Sequence, residues 1–396
     1  MGKPKVLLAA TCRWLFPARL ARALADAGCG VDAICPSGHA LAKTAAVIRL
    51  HPYSALASSR AFQRAIRKSR PDLIIPCDDL AAEQLRILYT RAEAFGPDAV
   101  PVRNLLDRSL GPRASYPVIE SRSELISVAS SEGIRVPETA PVSSLAEIER
   151  WLERHGYPAV LKSNGSSGGQ GVRVVTDLPG AQRAFAFLSS PPSIARTLKR
   201  AFVDRDLTLV DPLLRRRRPS LSIQKFVAGR EVTCTVACWN GEIRAMLIAE
   251  VLCTWEPRGP ASVLRLIQND AISSAVAKIV RRLGLSNLCG FDFIIGDQTD
   301  QPYLIEMNPR ATQTAHFPLG HERDLPAALY AALTSQAVRE TSSVTTNDVI
   351  AIFPLEWQRS PASKFLQAGY HDVPWDDPAL VREGMRPRPP RWRWRR

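Results

Sequence analysis

Apolar runs and amphipathic stretches alternate over the first hundred residues. Three short runs are apolar almost throughout, which is typical of buried strands: residues 5–10, 30–35 and 71–77. Residues 16–28 follow helical spacing, with Pro17 near the start and Gly28 at the end. Strands that alternate with helices form doubly wound parallel sheets, so the pattern predicts an N-terminal α/β domain over residues 1–112. The turn after the first run, TCRWLF, lacks G-x-G-x-x-G, which argues against a Rossmann dinucleotide site.

A second, α+β unit is predicted where this alternation breaks. Serine followed three residues later by glutamate is the capping box that opens a helix, and it occurs at Ser121 and again at Ser144. The polar stretch 189–220 is predicted to be a loop or an irregular helix. The chain then becomes β-rich, and Asp270 is predicted to cap a helix that ends at Gly284. The predicted divisions are two lobes and an extension: residues 113–222, 223–335 and 336–396.

The net charge of +14 on 396 residues is concentrated in two short segments. Residues 215–218 are four arginines, and the last fifteen residues hold seven arginines and one glutamate. These segments account for ten of the fourteen net charges, so the rest of the chain is nearly balanced. The tail is predicted to be a solvated, disordered terminus. The alternative is a segment that contacts RNA, anionic lipid or an acidic partner.

Cysteine usage and hydropathy bear on the compartment. The eight cysteines form no C-x-x-C pair and no cluster with zinc spacing, and most lie in apolar stretches. Unpaired cysteines of this kind are typical of a reducing cytoplasm, which is the predicted location. No apolar run approaches the roughly 18 residues that a membrane span requires.

A glycine- and serine-rich loop at residues 163–171 lies between two apolar runs and directly follows Lys162. Glycines let backbone N–H groups converge on an anion, and serine hydroxyls add donors. The loop is therefore a candidate for binding phosphates, although a plain hairpin connection has the same composition. Its central donors are Ser166, Ser167, Gly168 and Gly169.

The strand-like segment 223–232 is a candidate for adenosine binding. Its backbone could offer an adenine edge one N–H and one C=O group, while Phe226 and Val227 sandwich the ring. Glu231 could accept hydrogen bonds from two ribose hydroxyls. The alternative is an ordinary edge strand with an exposed glutamate.

A predicted hairpin near residue 300 carries candidate metal ligands. If its turn spans residues 297–301, Gly296 pairs with Pro302 and Asp292 lies opposite Glu306, with about 5 Å between their Cβ atoms. Two carboxylates at that spacing repel each other unless a cation lies between them. Asn308 projects from the same face, and this oxygen donor set suits Mg²⁺. The alternative, a solvated hairpin face, fits poorly with the apolar residues that flank these positions.

Together these segments resemble the ATP-grasp ligases over about residues 115–331, and the first hundred residues resemble the α/β domain that precedes the ATP-grasp domain in that superfamily. The family's E-x-N-P-R string, which carries metal ligands and a catalytic arginine, stands here as Glu306, Met307, Asn308, Pro309 and Arg310. The resemblance implies that Lys162 reaches the α- and β-phosphates and that the glycine loop covers them.

The resemblance also assigns the hinge and ribose ligands: Gln224, Lys225, Phe226, Val227 and Glu231. A second phosphate-binding cation usually follows an aspartate at the head of the earlier helix. Arg122 is the candidate here, although Ser121 stands in place of the aspartate. Gln224 replaces a common glutamate, which matters little because the hinge binds largely through its backbone.

The implied activity is an ATP-dependent ligase with Mg²⁺ (or Mn²⁺) as its metal. Such an enzyme transfers the γ-phosphoryl group to a carboxylate, and an amine or a thiol displaces the resulting acyl phosphate with release of ADP and phosphate. Arg310 would clamp the carboxylate. Arg258 and Arg265 are candidate acceptor contacts or plain surface charges. The alternatives are an ATP-grasp kinase and a non-catalytic ATP-binding module whose basic tail recruits a partner.

Overall fold

The computed structural model describes most of the chain: residues 2–164, 171–190, 194, 197, 213, 219–257, 259–320, 322–338 and 342–386. Several predicted contacts lie outside the described residues: Ser166, Ser167, Gly168, Gly169 and Arg258. The last ten residues of the basic tail and most of the stretch 189–220 also lie outside them.

The N-terminal unit is a four-stranded parallel sheet with helices on both faces, as predicted. Its strands lie in the order β3-β2-β1-β4: β1 (Lys5–Ala9), β2 (Gly30–Cys35), β3 (Val47–Pro52) and β4 (Leu73–Pro76). Its helices are α1 (Phe16–Asp26), α2 (Ser58–Ser69), α3 (Asp79–Thr90) and α4 (Ala99–Leu110), with short 3₁₀ turns at Ala40–Ala42, Ala55–Ala57 and Ala92–Asp98. The sequence pattern does not predict β3, because this edge strand exposes Ile48, Arg49 and Leu50.

A smaller lobe follows, built on a four-stranded antiparallel sheet in the order β5-β8-β6-β7. Its strands are β5 (Thr139–Val142), β6 (Ala159–Ser163), β7 (Val172–Val175) and β8 (Leu221–Lys225). A 3₁₀ turn (Arg113–Ser115) and the helices α5 (Tyr116–Glu120) and α6 (Arg122–Ser131) lead into it, and α7 (Leu145–His155) and α8 (Leu178–Ser189) cover one face. Leu161 and Ile223 are buried against these two covering helices, which leaves the opposite face of the sheet to the candidate site.

The larger lobe is a seven-stranded sheet in the order β13-β12-β9-β10-β11-β14-β15, antiparallel except for its last pair. Its strands are β9 (Gly229–Trp239), β10 (Glu242–Thr254), β11 (Ala261–Leu266), β12 (Asn287–Gly296), β13 (Pro302–Asn308), β14 (Val349–Ile352) and β15 (Tyr370–Asp372). Its helices are α9 (Asp270–Leu283), α10 (Leu325–Thr334), α11 (Leu355–Arg359), α12 (Phe365–Ala368) and α13 (Pro378–Gly384). Helices α6 and α9 cover one face of β12 and β9, where Phe291 and Phe293 are fully buried.

The C-terminal segment connects this large sheet back to the N-terminal unit. The two terminal guanidinium nitrogens of Arg19 on α1 donate to the Asp372 carboxylate on β15, at 2.5 and 3.0 Å. His316 lies 3.0 Å from the same carboxylate. Burial alone would raise the pKa of Asp372, but Arg19 and His316 hold it below its usual value. Leu380 of α13 is buried in the N-terminal core, so this segment belongs to the packed fold.

Two helix starts differ in detail from the predictions. Asp270 does not cap α9; the Asn269 side chain accepts the Ile272 N–H at 3.0 Å, and Asp270 occupies the first turn, where a carboxylate favours the helix dipole. At α7, Ser144 caps as predicted, but the Glu147 carboxylate reaches back one residue further and accepts the Ser143 N–H at 2.7 Å. None of the helices in the described ranges is both long and apolar enough to cross a membrane.

Candidate active site

The candidate site lies between the open faces of the smaller-lobe and larger-lobe sheets. In the large sheet, Asp292 pairs with Glu306 on one side and with Thr233 on the other. Directly paired residues share a face, so these three side chains lie opposite the face that buries Phe291 and Phe293. The polar positions of β9, β12 and β13 therefore form one surface across three strands.

A β-bulge sets the register of the hairpin. Asp292 lies opposite Glu306 as predicted, but the prediction that Gly296 pairs with Pro302 is wrong, because Ile295 is the partner of Pro302. The two registers are reconciled at Ile305, an extra residue on β13 between the partners of Phe293 and Asp292. A bulged residue leaves the regular ladder, and the Ile305 carbonyl accepts a hydrogen bond from the Lys162 ammonium at 3.3 Å.

The pKa of the Asp292 carboxyl group is shifted from its ordinary value. Burial, followed by repulsion from Glu306, raises its pKa to about 6. The Asn308 amide donates to one Asp292 oxygen at 2.9 Å, and Thr233 donates as well, which partly opposes that rise. The Asp292 carboxylate is thus only partly compensated by protein donors, which is the property expected of a cation ligand.

Lys162 enters the site from the small sheet. It pairs with Ser222 and Val172 on the face opposite the buried Leu161 and Ile223. Its side chain is 5 % exposed, and this burial lowers its pKa to about 8. Glu306 and Asp292 raise that pKa and Arg122 lowers it, but burial is the largest cause.

Arg122 is the first residue of α6, and the capping serine Ser121 orients the start of that helix by accepting the Glu124 N–H at 3.3 Å. Its guanidinium donates to Glu306 at 2.6 Å and to the backbone carbonyl of Ser163. Arg122 thereby connects a candidate metal ligand on the large sheet with the strand that leads into the glycine loop.

Arg310 lies on the opposite side of the carboxylates, against the N-terminal unit. Its Nε donates to Asp79 at 2.8 Å, one terminal nitrogen donates to the Asn308 amide oxygen at 3.1 Å, and its carbon centre lies 5.3 Å from the Trp14 ring centroid. Burial alone would lower the pKa of Arg310, but Asp79, Asp78 and Glu306 together raise it. The guanidinium is therefore held charged in a fixed orientation.

Neither Asp79 nor Trp14 is predicted from the sequence. A usable signal existed for Asp79, because Asp78 and Asp79 follow the end of β4 after one intervening residue, and ligands bind at the carboxyl ends of parallel strands in such sheets. Asp78 serves a structural role: its carboxylate accepts the Thr11 N–H and hydroxyl, both at 2.6 Å. Asp78 therefore fixes the loop after β1, and Asp79 orients Arg310.

Beneath the carboxylates the backbone approaches a hydroxyl cluster. Gly290 pairs with Asn308 and with Thr235, and a Cβ at Gly290 would lie only 2.4 Å from the Thr312 methyl group. The hydroxyls of Thr235, Thr312 and Thr314 lie 2.7 to 3.2 Å from one another. Glycine is required here, and the hydroxyls fix the segment after β13 against β9.

The predicted adenine hinge, residues 224–227, comprises the last two residues of β8 and the two that follow. The Gln224 amide is buried and donates to the Thr139 hydroxyl at 3.0 Å, so it braces β8 against β5. Within the described part of the chain, the backbone N–H of Val227 donates to no acceptor, whereas that of Phe226 donates to Pro158 at 3.3 Å. Val227 is therefore the residue of this hinge whose donor is open to a ligand.

Three further predicted residues lie at the rim. Glu231 is exposed and lies two residues before Thr233 on β9, so it shares the face of Asp292. Phe226 is 39 % exposed, and the exposed Lys225 lies 3.7 Å from Glu138. Glu231 therefore lies on the same face of the large sheet as Asp292.

Arg265 does not belong to this surface. It pairs with Glu250, which pairs with Val232, on the face opposite Asp292. Its guanidinium lies 3.7 Å from the Glu250 carboxylate. Of the two alternatives left open for Arg265, its position favours the surface charge, because the sheet lies between it and the candidate site.

A model of the ATP-grasp domain matches residues 208–314. This segment includes the hinge, Glu231, the hairpin and the complete E-x-N-P-R string. The chain contains an ATP-grasp domain. The N-terminal parallel sheet precedes it, in agreement with the predicted fold.

Comparison with curated and solved proteins agrees with the ATP-grasp assignment. The chain is 26% identical over 296 residues to the carbamoyl phosphate synthase large chain of Rubrobacter xylanophilus, which covers 74% of this chain and 26% of the relative. The chain therefore spans about a quarter of that protein's length.

Two solved structures share the fold. The biotin carboxylase domain of the Hydrogenobacter thermophilus 2-oxoglutarate carboxylase, solved with MgADP and bicarbonate, has a TM-score of 0.60 at 16% identity and covers 86% of this chain and 72% of its own. The L-amino acid ligase of Bacillus licheniformis has a TM-score of 0.58 at 16% identity, with 86% and 76% covered. At this identity the likeness concerns the ATP-grasp fold alone.

The residues present fit a magnesium–nucleotide complex. The Asp292 and Glu306 carboxylates offer the hard oxygen donors that Mg²⁺ prefers, and they are too few to complete its octahedron. Asn308 would add its amide oxygen only by turning its side chain, because its nitrogen donates to Asp292 and its oxygen accepts from Arg310. Phosphate oxygens and water would supply the remaining ligands. Within the described chain, the buried Lys162 ammonium donates to a single carbonyl at 3.3 Å, so a phosphate oxygen would suit it better than its present surroundings do.

Proposed function

We propose that the protein is an ATP-dependent ligase that activates a carboxylate as an acyl phosphate and transfers the acyl group to an amine or a thiol. One observation carries the proposal. Cations approach the candidate metal ligands Asp292, Glu306 and Asn308 from two directions. Arg122 and Lys162 reach them from the smaller lobe, which we call the nucleotide side, and Arg310 lies against the N-terminal unit, where it donates to Asp79.

The nucleotide side is suited to hold a triphosphate. The Val227 N–H and Glu231 would bind adenine and ribose, and Lys162 and Arg122 would neutralise phosphate oxygens. Mg²⁺ (or Mn²⁺) held by Asp292, Glu306 and Asn308 would neutralise the charge shared by the β- and γ-phosphates. To contact phosphate, Arg122 would release Glu306.

The side of the N-terminal unit is suited to hold the carboxylate substrate. Arg310 presents a planar fork that matches a carboxylate, and Asp79 and Trp14 fix its orientation. The carboxylate oxygen would attack the γ-phosphorus in line, with ADP as the leaving group. The acyl carbon of the product is then open to attack by a nitrogen or sulfur nucleophile, which expels inorganic phosphate.

The relatives support this chemistry at a general level. The similar biotin carboxylase domain binds MgADP and bicarbonate, and the similar amino acid ligase is named for joining amino acids. Both are consistent with a carboxylate-type substrate beside a magnesium–nucleotide site.

Hydroxylamine trapping tests the proposal whatever the natural nucleophile is. The protein would be incubated with Mg·ATP, hydroxylamine and each member of a panel of small carboxylates and amino acids, and acyl hydroxamate and ADP would be measured by mass. We expect equal amounts of ADP and hydroxamate with at least one carboxylate.

Two other outcomes would contradict the proposal. ADP with a stable phosphorylated product and no hydroxamate would indicate a kinase. No ADP with any carboxylate in the panel, while calorimetry still detects Mg·ATP binding, would indicate a non-catalytic module. The Glu306→Gln variant, with its metal site disabled, is the control for contaminating ATPases.

A further inference from the structure

A second charged site lies on the N-terminal unit, between the edge strand β3 and helix α2. It is a cleft of about 460 Å³ that we call the basic cleft. Its lining includes four cationic side chains: Arg49, Arg60, Arg64 and Lys68. No carboxylate of the described chain lines it, and Asp32, which pairs with Arg49 in the sheet, lies one strand inward.

The cations of α2 form a regular row. Arg60, Arg64 and Lys68 are spaced at i, i+4 and i+8, so they lie on one stripe of the helix with about 6 Å of rise between successive positions. All three are exposed, and within the described chain none of them forms an ion pair. By contrast, Arg67 on the neighbouring stripe is paired with Asp98 at 2.6 Å.

Strand β3 closes the other wall of the cleft and is the edge of its sheet. It pairs with β2 on one side, and no described strand pairs with its outer side. Arg49 and His51 face α2, where Arg49 donates to the Lys68 carbonyl at 2.6 Å and His51 lies 2.8 Å from the Ser69 hydroxyl. An unpaired edge of this kind is a template for another strand.

The opposite face of the edge is apolar. Leu50 pairs with Ala33 in the register, so it projects away from Arg49 and His51, and it is 44 % exposed. Ile48 at the start of the edge is 74 % exposed. An added strand would therefore meet cations on the face toward α2 and an aliphatic surface on the other face.

We propose that the basic cleft binds an extended acidic segment of a partner protein, which pairs with β3 as an added strand. Alternate side chains of a strand lie on one face about 6.6 to 6.8 Å apart, which matches the rise of the Arg60, Arg64 and Lys68 row. The fitting segment alternates acidic and apolar residues. Its acidic residues face α2, and its apolar residues lie beside Leu50.

Two alternative roles for these charges fit less well. Charges that merely protect an edge strand from aggregation lie on the strand itself, whereas three of these four cations come from the helix. Single-stranded nucleic acid is bound by aromatic side chains that stack on bases, and no Phe, Tyr or Trp lines the cleft in the described chain.

The test uses the full-length protein and a fluorescein-labelled octapeptide of alternating glutamate and valine, with binding followed by anisotropy. We expect it to bind at least about tenfold more tightly than a peptide of the same composition with its glutamates in one block, since a blocked peptide cannot place acids on one face. Methylation of alternate backbone nitrogens should abolish binding, because it removes the strand hydrogen bonds.

The variant R60Q/R64Q/K68Q should weaken binding of the alternating peptide at least about tenfold, since each lost charge pair contributes a part of the affinity. The matched control R67Q, on the same helix but outside the basic cleft, should change it less than about twofold. Melting temperature checks that each variant is folded.

Three results would overturn the proposal. The first is equal binding of the blocked and alternating peptides, and the second is equal loss of binding in R67Q and the triple variant. The third is tighter binding of octauridylate than of the alternating peptide, which would instead indicate a nucleic-acid site.

Discussion

Two arginines flank the candidate active site, and each is held by a different kind of carboxylate. On the nucleotide side, Arg122 donates to Glu306, which is itself a candidate metal ligand. On the side of the N-terminal unit, Arg310 donates to Asp79, which is not. The first ion pair competes with a metal for the Glu306 carboxylate, whereas the second does not involve a candidate metal ligand.

The difference between the two arginines concerns how each is oriented before a ligand binds. The Arg122 guanidinium partly neutralises the Glu306 carboxylate until a metal cation replaces it. This ion pair limits the repulsion between Glu306 and Asp292. Arg310 needs no such exchange, because Asp79 and Trp14 orient it before a substrate arrives. We infer that the nucleotide side rearranges on binding and that the carboxylate side is preorganised.

The largest effect should come from Glu306→Gln, which removes the one carboxylate that serves both the arginine and the candidate metal. The amide keeps the shape but loses the charge that would hold Mg²⁺, so we expect ADP production to fall about 10²- to 10³-fold. The melting temperature without ligand should change little, and the extra stability conferred by Mg·ATP should be lost.

Glu242→Gln is the matched control, since Glu242 pairs with Arg244 at 2.7 Å on the surface of β10. It should retain full ADP production. Normal turnover of Glu306→Gln at low Mg²⁺ would refute the metal assignment.

The next effect should come from the carboxylate side. Arg310→Lys loses the planar fork, so turnover should fall about 100-fold, while the Kd for Mg·ATP should stay within about threefold.

Asp79→Asn keeps Arg310 but removes the carboxylate that orients it, and we expect about a tenfold loss in kcat/KM for the carboxylate substrate. Steady-state kinetics and calorimetry measure both quantities. A loss of nucleotide affinity in either variant would show that the two sides are not separate.

Arg122→Gln should change the affinity for the metal and the affinity for ATP in opposite directions. Without the guanidinium, Glu306 is free and Mg²⁺ or Mn²⁺ alone should bind several-fold more tightly, whereas ATP should bind about tenfold more weakly because a phosphate partner is lost. Mn²⁺ binding followed by electron paramagnetic resonance and ATP binding followed by calorimetry separate the two. Arg282→Gln, which breaks an ion pair with Glu132 far from the site, is the control. Weaker binding of both ligands would mean that Arg122 does not compete with the metal.

The sequence predicts the parts of this site that depend on local pattern. Strand periodicity places Asp292, Glu306 and Asn308 on one face, and the pairing of Asp292 with Glu306 is confirmed. This pairing is correct although the predicted turn is shifted by one residue. The extra residue Ile305, a bulge on β13, offsets that shift and brings Glu306 opposite Asp292. A bulge depends on how the whole sheet twists, which a local alternation of residues does not encode.

Long-range partners could not be predicted in the same way. Asp79 and Arg310 are 231 residues apart, and their contact exists only because the N-terminal sheet docks on the larger lobe. Trp14 follows β1 in a turn with no recognisable ligand motif. The position of an acidic pair after a parallel strand is a signal that a ligand site is near, but it does not identify which side chain the pair will hold.

The smallest effect, and the one that tests the nucleotide side most directly, concerns the protonation of Lys162. In the free protein burial lowers its pKa to about 8, so near pH 8.0 about half of the molecules carry a neutral amine. A phosphate oxygen beside the ammonium would favour the charged form and raise that pKa again. Binding of Mg·ATP should therefore take up about half a proton at pH 8.0 and a larger fraction at pH 9.0. Calorimetry in buffers of different ionisation enthalpy measures this uptake.

Lys162→Arg is the control, because it keeps a cation at the position but stays charged at both pH values. It should bind Mg·ATP without proton uptake. Equal uptake in Lys162→Arg and the unmodified protein would show that another group takes up the proton and that Lys162 does not contact phosphate.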